Sequence, residues 1–464
     1  MTKSNSFRRY RNRTLYTILI LVVLNINAYY FFTSYSNNQN SYNYLITSKS
    51  PSYRYPKIYN DDFGNAIITW SLGDGIRSQK INSSGHIQWE ENGETISDLY
   101  RVNNLPQISG DGTGGAIITW EAYRTDEWDI CAQRINSAGD IQWIPNGPKI
   151  STRNNPLMGQ QLCSDGTGGA IIVWTEMEYG TFNMDIYTQR INRSGYIQWK
   201  ENGTKICTTY NSQSHPQLCS DGLGGAIITW KDYRNDEGDI YTQRINSSGY
   251  FQWKEDKVII CNASDVQFNP QLCSDGLGGA IITWEDYRND EWDIYAQRIN
   301  SAGDIQWIPN GTKISTGNNP QMEQQLYSDG TGGAIIVWTK FYSGTFNNDI
   351  YTQRINRSGY IQWKENGTEI CTTYNYQRHP QLCSDGLGGA IITWEGYRNG
   401  KFEIYAQRIN SSGNIQWKEN GILLYSEFSN TSQISLGFSF ILYFGIGAIF
   451  LIILIHRKLS YIKK

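Results

Sequence analysis

A tryptophan preceded by Ala-Ile-Ile or a near copy recurs seven times, at Trp70, Trp120, Trp174, Trp230, Trp284, Trp338 and Trp394. A second tryptophan follows each, at Trp89, Trp143, Trp199, Trp253, Trp307, Trp363 and Trp417. Successive members of the first series are 50, 54, 56, 54, 54 and 56 residues apart, too long for most helical repeats and right for four short strands with turns. Seven near-identical units across residues 55–426 therefore argue for one repeat domain, not the two or three ordinary domains that 464 residues could hold. A residue present in every unit is scaffold before it is active site, which turns attention to the positions where units differ.

A typical unit runs from Pro216 to Trp253 as PQLCSDGLGGAIITWKDYRNDEGDIYTQRINSSGYFQW. Its pattern predicts a first strand at 217–220, an Asp-Gly turn, a second strand at 226–232, a polar loop, a third strand at 239–246, a Ser-Ser-Gly turn and a fourth strand from Tyr250. Ala-Ile-Ile-Thr-Trp is apolar at successive positions, as a strand buried on both faces requires. A sheet of this kind must be covered on both sides, and radial stacking of seven achieves that. The expected fold is all-β, a seven-bladed β-propeller of four-stranded antiparallel blades. The units fall at about 55–104, 105–156, 157–212, 213–266, 267–320, 321–376 and 377–426. Residues 120–253 also recur almost verbatim 164 residues later, so units two to four duplicate units five to seven.

The segment RINSSGYIQW…ENG is similar to the second half of delta-60-type propeller repeats, and Asp-Gly-x-Gly-Gly-x-Ile-Ile-x-Trp resembles their first half. The resemblance covers about 370 residues. It implies a seven-bladed propeller and no particular activity. Both tryptophan series are expected to pack between blades. The repeated Arg134, Arg190, Arg244, Arg298, Arg354 and Arg408, with Lys80 in the first unit, are expected to tie strands together or to pair with the aspartate of a turn. Asp-Gly-x-Gly-Gly matches neither a calcium loop nor an Asp-box, and reads as a turn needing positive φ.

Both ends are apolar. Residues 1–33 carry Arg8, Arg9, Arg11 and Arg13 ahead of an uncharged run, and fit either a cleaved signal peptide or a retained signal anchor. A polar linker follows at 34–54. After a linker at 427–433, residues 434–455 are uncharged and long enough for a transmembrane helix, with a basic cytoplasmic tail at 456–464. The propeller is thereby expected on the extracytoplasmic side of the cell membrane. Nine of the 40 Lys and Arg lie in these two ends, leaving 31 bases against 43 acids, a net charge of about −12. Nucleic acid is excluded as a partner on that balance.

Three cysteine pairs share one spacing, Cys207 with Cys219, Cys261 with Cys273 and Cys371 with Cys383, and suggest disulfides between blades or buried thiols. Five Asn-x-Ser/Thr sequons, at Asn82, Asn192, Asn246, Asn356 and Asn410, occupy the same turn between third and fourth strands. Glycans there would shield one face and leave the opposite, top face for binding.

Loops that differ between units are the expected seat of specificity. They offer Tyr123, Asp126, Trp128, Tyr179, Phe182, Tyr233, Asp236, Tyr287, Asp290, Trp292, Tyr342 and Phe346 as ligand-binding candidates, a mixture suited to carbohydrate, peptide or cation. Tyr210, His215, Tyr374 and His379 add to that face. No catalytic residue, cofactor or metal site is expected, because no nucleophile elbow, phosphate loop or metal-spaced cluster occurs. The expectation is a non-enzymatic binding, adhesion or cell-envelope interaction protein recognising a cell-surface glycan or protein. Two alternatives stand beside it: an extracellular carbohydrate-active enzyme, lyase or glycosidase, and a purely structural envelope component. An enzyme would need unit-specific polar residues converging on the channel mouth.

Overall fold

The computed structural model describes residues 53–426 apart from 62, 73–74, 83–85, 99–102, 125–126, 152–154, 156, 179–182, 208, 210, 236, 254–257 and 343. The expected signal or anchor segment and the expected transmembrane helix lie outside the described residues, and among the described residues no helix is long and apolar enough to cross a membrane.

Seven antiparallel sheets follow one another along the chain, at 53–97, 103–135, 157–205, 213–261, 267–313, 321–371 and 377–426. Together they form a seven-bladed propeller. Six sheets have four strands in chain order, and the second has three, with an isolated Cys131–Lys149 bridge where its fourth strand would run. First strands of successive blades touch one another from the first blade to the seventh, which makes them the innermost.

Alternation along the second strand explains its apolar run. Ala226, Ile228 and Trp230 pack toward the third blade, and Ile227 packs toward the fifth with Ile240, Trp253 and Trp284. Six tryptophans of the first series are fully buried. Each ring removes on the order of 200 Å² from water, roughly 5 kcal/mol at about 25 cal/mol per Å². Tyrosines of the third strand stack on them, as Tyr187 does on Trp174 at 6.1 Å.

The second series joins blades by hydrogen bonds. Trp199 and Trp253 donate their indole N–H to the backbone oxygens of Ser247 and Ser301 in the next blade, each at 3.1 Å. The same turn needs glycine: a Cβ on Gly249, at φ +84°, would meet the Trp199 ring at 2.8 Å.

The repeated arginine is a latch. Arg244 pairs with Asp221 of its own blade at 2.9 Å and donates to the Ser301 oxygen of the next at 2.8 Å. Lys80 repeats this in the first blade with Asp61 at 2.9 Å and the Gly114 oxygen at 2.7 Å. Each turn aspartate is itself held as an Asx turn; Asp221 Oδ1 accepts from the backbone N–H of Leu223 and Gly225, both at 2.8 Å. Burial raises the Asp111 carboxyl, but bonds from Thr113, Arg134 and Gly115 outweigh it and hold its pKa below the usual value.

The expected disulfides are not made; all eight cysteines are thiols. Cys207 lies in the core between the third and fourth blades, whereas Cys219 faces the core between the fourth and fifth, so the fourth sheet stands between them. Cys261 and Cys273 are divided in the same way by the fifth. Cys371 packs instead beside Arg398, 3.2 Å from its guanidinium, and Cys383 takes the inner-strand position of Cys219 and Cys273.

Candidate functional site

Each innermost strand is longer than its sequence suggests, because it continues through a bulge. In the fourth blade it spans Gln213–Ser220, and the register jumps from Ser214 opposite Lys231 to Gln217 opposite Thr229. One residue per bulge is left-handed: Tyr55, Leu105, Gly159, His215, Asn269, Glu323 and His379, with φ from 51° to 66°. Proline, or Gln160 and Gln324 in the third and sixth blades, follows it. Proline suits a bulge because no ladder donor is needed there. Left-handed His and Glu carry backbone strain on the order of 1 kcal/mol each. The bulges stand at the same end of first strands that touch from each blade to the next, and they carry different side chains in an otherwise repeated scaffold.

Beside them stand the residues that follow the first-series tryptophans: Ser71, Glu121, Thr175, Lys231, Glu285, Thr339 and Glu395. Across blades five to seven these two rings form one network. Glu285 accepts from the backbone N–H of Glu323 at 2.8 Å and from Asn269 at 3.2 Å. Glu323 accepts from the backbone N–H of His379 and from Thr339, both at 2.8 Å. The His379 ring lies between two carboxylates, Nε2 3.6 Å from Glu323 and Nδ1 3.5 Å from Glu395. Arg378 closes the network at 3.1 Å from Glu395. Burial opposes charge on His379, but the bond to Glu395 and the charges of Glu323 and Glu395 outweigh it and Arg378, so its pKa is raised. Burial likewise raises Glu285, against the bonds it accepts.

Blades two to four repeat the frame with other chemistry. Glu121 accepts from the Gly159 N–H at 2.8 Å, and burial pushes its carboxyl up to about 7. His215, the counterpart of His379, has Ser214 Oγ at 2.9 Å and the Phe268 ring at 4.7 Å. Packing around the ring and then the Lys231 charge lower its pKa. Two equivalent histidines are thus pushed in opposite directions by their different neighbours. Among the described residues no three His, Cys, Asp or Glu side chains gather to hold a metal ion.

The loop candidates lie above this ring. Tyr123 and Trp128 face each other at 5.3 Å, and Tyr287 and Trp292 at 5.2 Å. Asp290 is exposed and closes a turn onto the Tyr287 oxygen at 3.2 Å. Tyr342 Oη is 3.4 Å from Tyr351 Oη, and Phe346 is exposed beside Tyr376. Tyr233 lies against Lys231. Asp126, Tyr179, Phe182 and Asp236 lie outside the described residues.

On the opposite face, Asn192, Asn246, Asn356 and Asn410 use Oδ1 to accept backbone N–H groups of their own turns. Asn82 does the same with His86. In the two turns that lack a sequon, Asn136 and Asn300 also commit Nδ2, to Asp140 at 2.9 Å and Asp304 at 3.0 Å.

Glu121, Lys231, Glu285, Glu323 and Glu395 were not among the sequence candidates, and His215 and His379 were placed in loops. One signal marks them: aligned unit against unit, the positions before the Pro or Gln and after the first tryptophan change in charge and polarity from blade to blade.

No protein-family model and no curated protein sequence matches the chain. Solved structures share its fold. A polysaccharide lyase, the PL25 ulvan lyase bound to -[GlcA(1-4)Rha3S]-, matches at TM-score 0.47 and 12% identity, over 76% of this chain and 91% of that one. The polysaccharide lyase Uly1 matches at TM-score 0.45 and 10% identity, over 82% and 94%. A eukaryotic initiation factor does so at 0.43 and 10%, over 81% and 90%. The expectation of a non-enzymatic chain is withdrawn: the solved structures that share this fold include polysaccharide lyases, and titratable groups particular to blades five to seven gather in one network at the inner strands. Unit-by-unit repetition hid them, because each lies one or two residues from a repeated motif.

Proposed function

We propose that the chain is a carbohydrate-active enzyme, a lyase or a glycosidase, working at the channel mouth of a propeller displayed outside the cytoplasm. The observation that carries this reading is the His379 imidazole held between Glu323 and Glu395 on a strained bulge. Both reactions need a group that protonates the departing glycosidic oxygen and another that accepts a proton, from carbon in elimination or from water in hydrolysis. His379, its pKa raised by two carboxylates, is suited to donate. His215 and the network carboxylates are suited to accept. The paired aromatics Tyr123 with Trp128 and Tyr287 with Trp292 would guide a polymer across the top face. The terminal segments would tether the enzyme to the membrane, and sugars on Asn192, Asn246, Asn356 and Asn410 would keep the bottom face clear.

The test is a turnover screen of the full chain against uronate-rich, sulfated and neutral polysaccharides. Ultraviolet absorbance reads unsaturated elimination products, and reducing ends read both reactions. Turnover lost in His379→Ala supports the proposal; binding without turnover of any polymer refutes it.

A further inference from the structure

Lys231 follows Trp230 and stands opposite Ser214 at the bulge of the fourth blade. Its side chain is 3% exposed, yet among the described residues its ammonium makes no ion pair and no hydrogen bond. Its neighbours are two aromatic faces, Tyr233 at 4.4 Å and Phe268 of the next blade at 4.8 Å from Nζ. Gly238 closes over the stem: a Cβ there would come within 2.1 Å of Lys231 Cε. A buried charge is ordinarily paired, and the acids at the equivalent position in other blades, Glu121, Glu285 and Glu395, all accept hydrogen bonds or pair. Lys231 is the exception, at the position in its blade that Glu285 and Glu395 hold in theirs. His215 lies beside it, its ring edge against Phe268.

We infer that Lys231, with His215 and the Phe268 and Tyr233 rings, forms a subsite for an anionic group on the sugar, a carboxylate or a sulfate ester. The ammonium supplies the missing counter-charge, His215 adds a polar edge, and the rings receive the apolar face of the sugar. The inference rests on the carbohydrate reading of the channel mouth and names its substrate class as acidic polysaccharide.

Calorimetric titration of the full chain with three oligosaccharides tests it: an oligouronate, a sulfated galactan fragment and a neutral xylo-oligosaccharide. At least one anionic ligand is expected to bind and to weaken with added salt. Lys231→Met should cost about tenfold or more in that affinity, as loss of a charge-assisted hydrogen bond does. The thermal midpoint should rise, because an unpaired buried charge is removed, whereas a merely structural lysine would lower it. Lys231→Arg should recover part of the binding. Should Lys231→Met fail to fold, His215→Gln and the salt titration of the parent chain decide. Binding of the neutral ligand as tightly as both anionic ones, or anionic binding indifferent to salt and to these substitutions, overturns the subsite. The uronate and sulfate arms show which anion is taken. Lys231-dependent binding without turnover would sustain the subsite and sink the enzyme, and turnover of neutral polymer alone would do the reverse.

Discussion

Replacing Glu121 by glutamine should change how stability depends on pH, by an amount that follows from its burial. The side chain is 7% exposed, accepts the Gly159 N–H at 2.8 Å, and its pKa is pushed up from 4.5 to about 7. The folded state thus holds this proton more tightly than the unfolded one. Below pH 4.5 both states are protonated and the group costs nothing. Between pH 4.5 and 7 only the unfolded state ionises, and stability falls by about 1.4 kcal/mol per pH unit. Above pH 7 both are ionised and the cost is constant, about 3 kcal/mol. Glutamine keeps the oxygen that accepts from Gly159 and removes the charge. Glu121→Gln and the parent should therefore unfold at similar denaturant concentrations at pH 5, and the variant should gain about 3 kcal/mol at pH 8, with every other titration common to both. Urea unfolding followed by tryptophan fluorescence at the two pH values measures it. An unchanged gap between variant and parent at pH 5 and pH 8 would refute the reasoning.

Three further outcomes follow from the framework. Gly249→Ala sets a Cβ 2.8 Å from the Trp199 ring at φ +84°, and should lower stability by about 2 kcal/mol or more, read as a drop in thermal midpoint. Titration of thiols in denatured, unreduced protein should find eight, since Cys207 with Cys219 and Cys261 with Cys273 each straddle a sheet; two would contradict the packing. If the propeller is extracytoplasmic, glycopeptide mapping should find sugar on Asn192, Asn246, Asn356 and Asn410, whose Nδ2 atoms make no hydrogen bond among the described residues, and bare asparagines there would overturn that topology or that reading of the turns.

The framework was legible because it repeats. Trp230, Arg244, Asp221 and Gly249 recur with fixed spacing, and spacing is what a sheet stacked on its neighbours imposes. The first strand began too late in the sequence reading because Pro216 and His215 look like a loop end. A bulge tolerates both and adds four residues of strand. That error displaced the site, since the bulge carries its side chains inward. His379 and Glu323 are 56 residues apart, and Glu285 is 38 from Glu323; no local motif joins them, and only blade stacking does. The disulfide reading failed for a related reason: a twelve-residue spacing gives no information about which side of a sheet each thiol faces.

The proposed chemistry takes place where His379 meets Glu323 and Glu395. Steady-state kinetics of the full chain on whichever polysaccharide the turnover screen returns, with His379→Asn and Glu323→Gln, read this out. The expected result is kcat lowered about 100-fold or more, KM little changed, and an acidic shift of the alkaline limb of the pH profile in Glu323→Gln, since losing that charge lowers the His379 pKa. Full activity in His379→Asn, or no polysaccharide turned over at all, would contradict it.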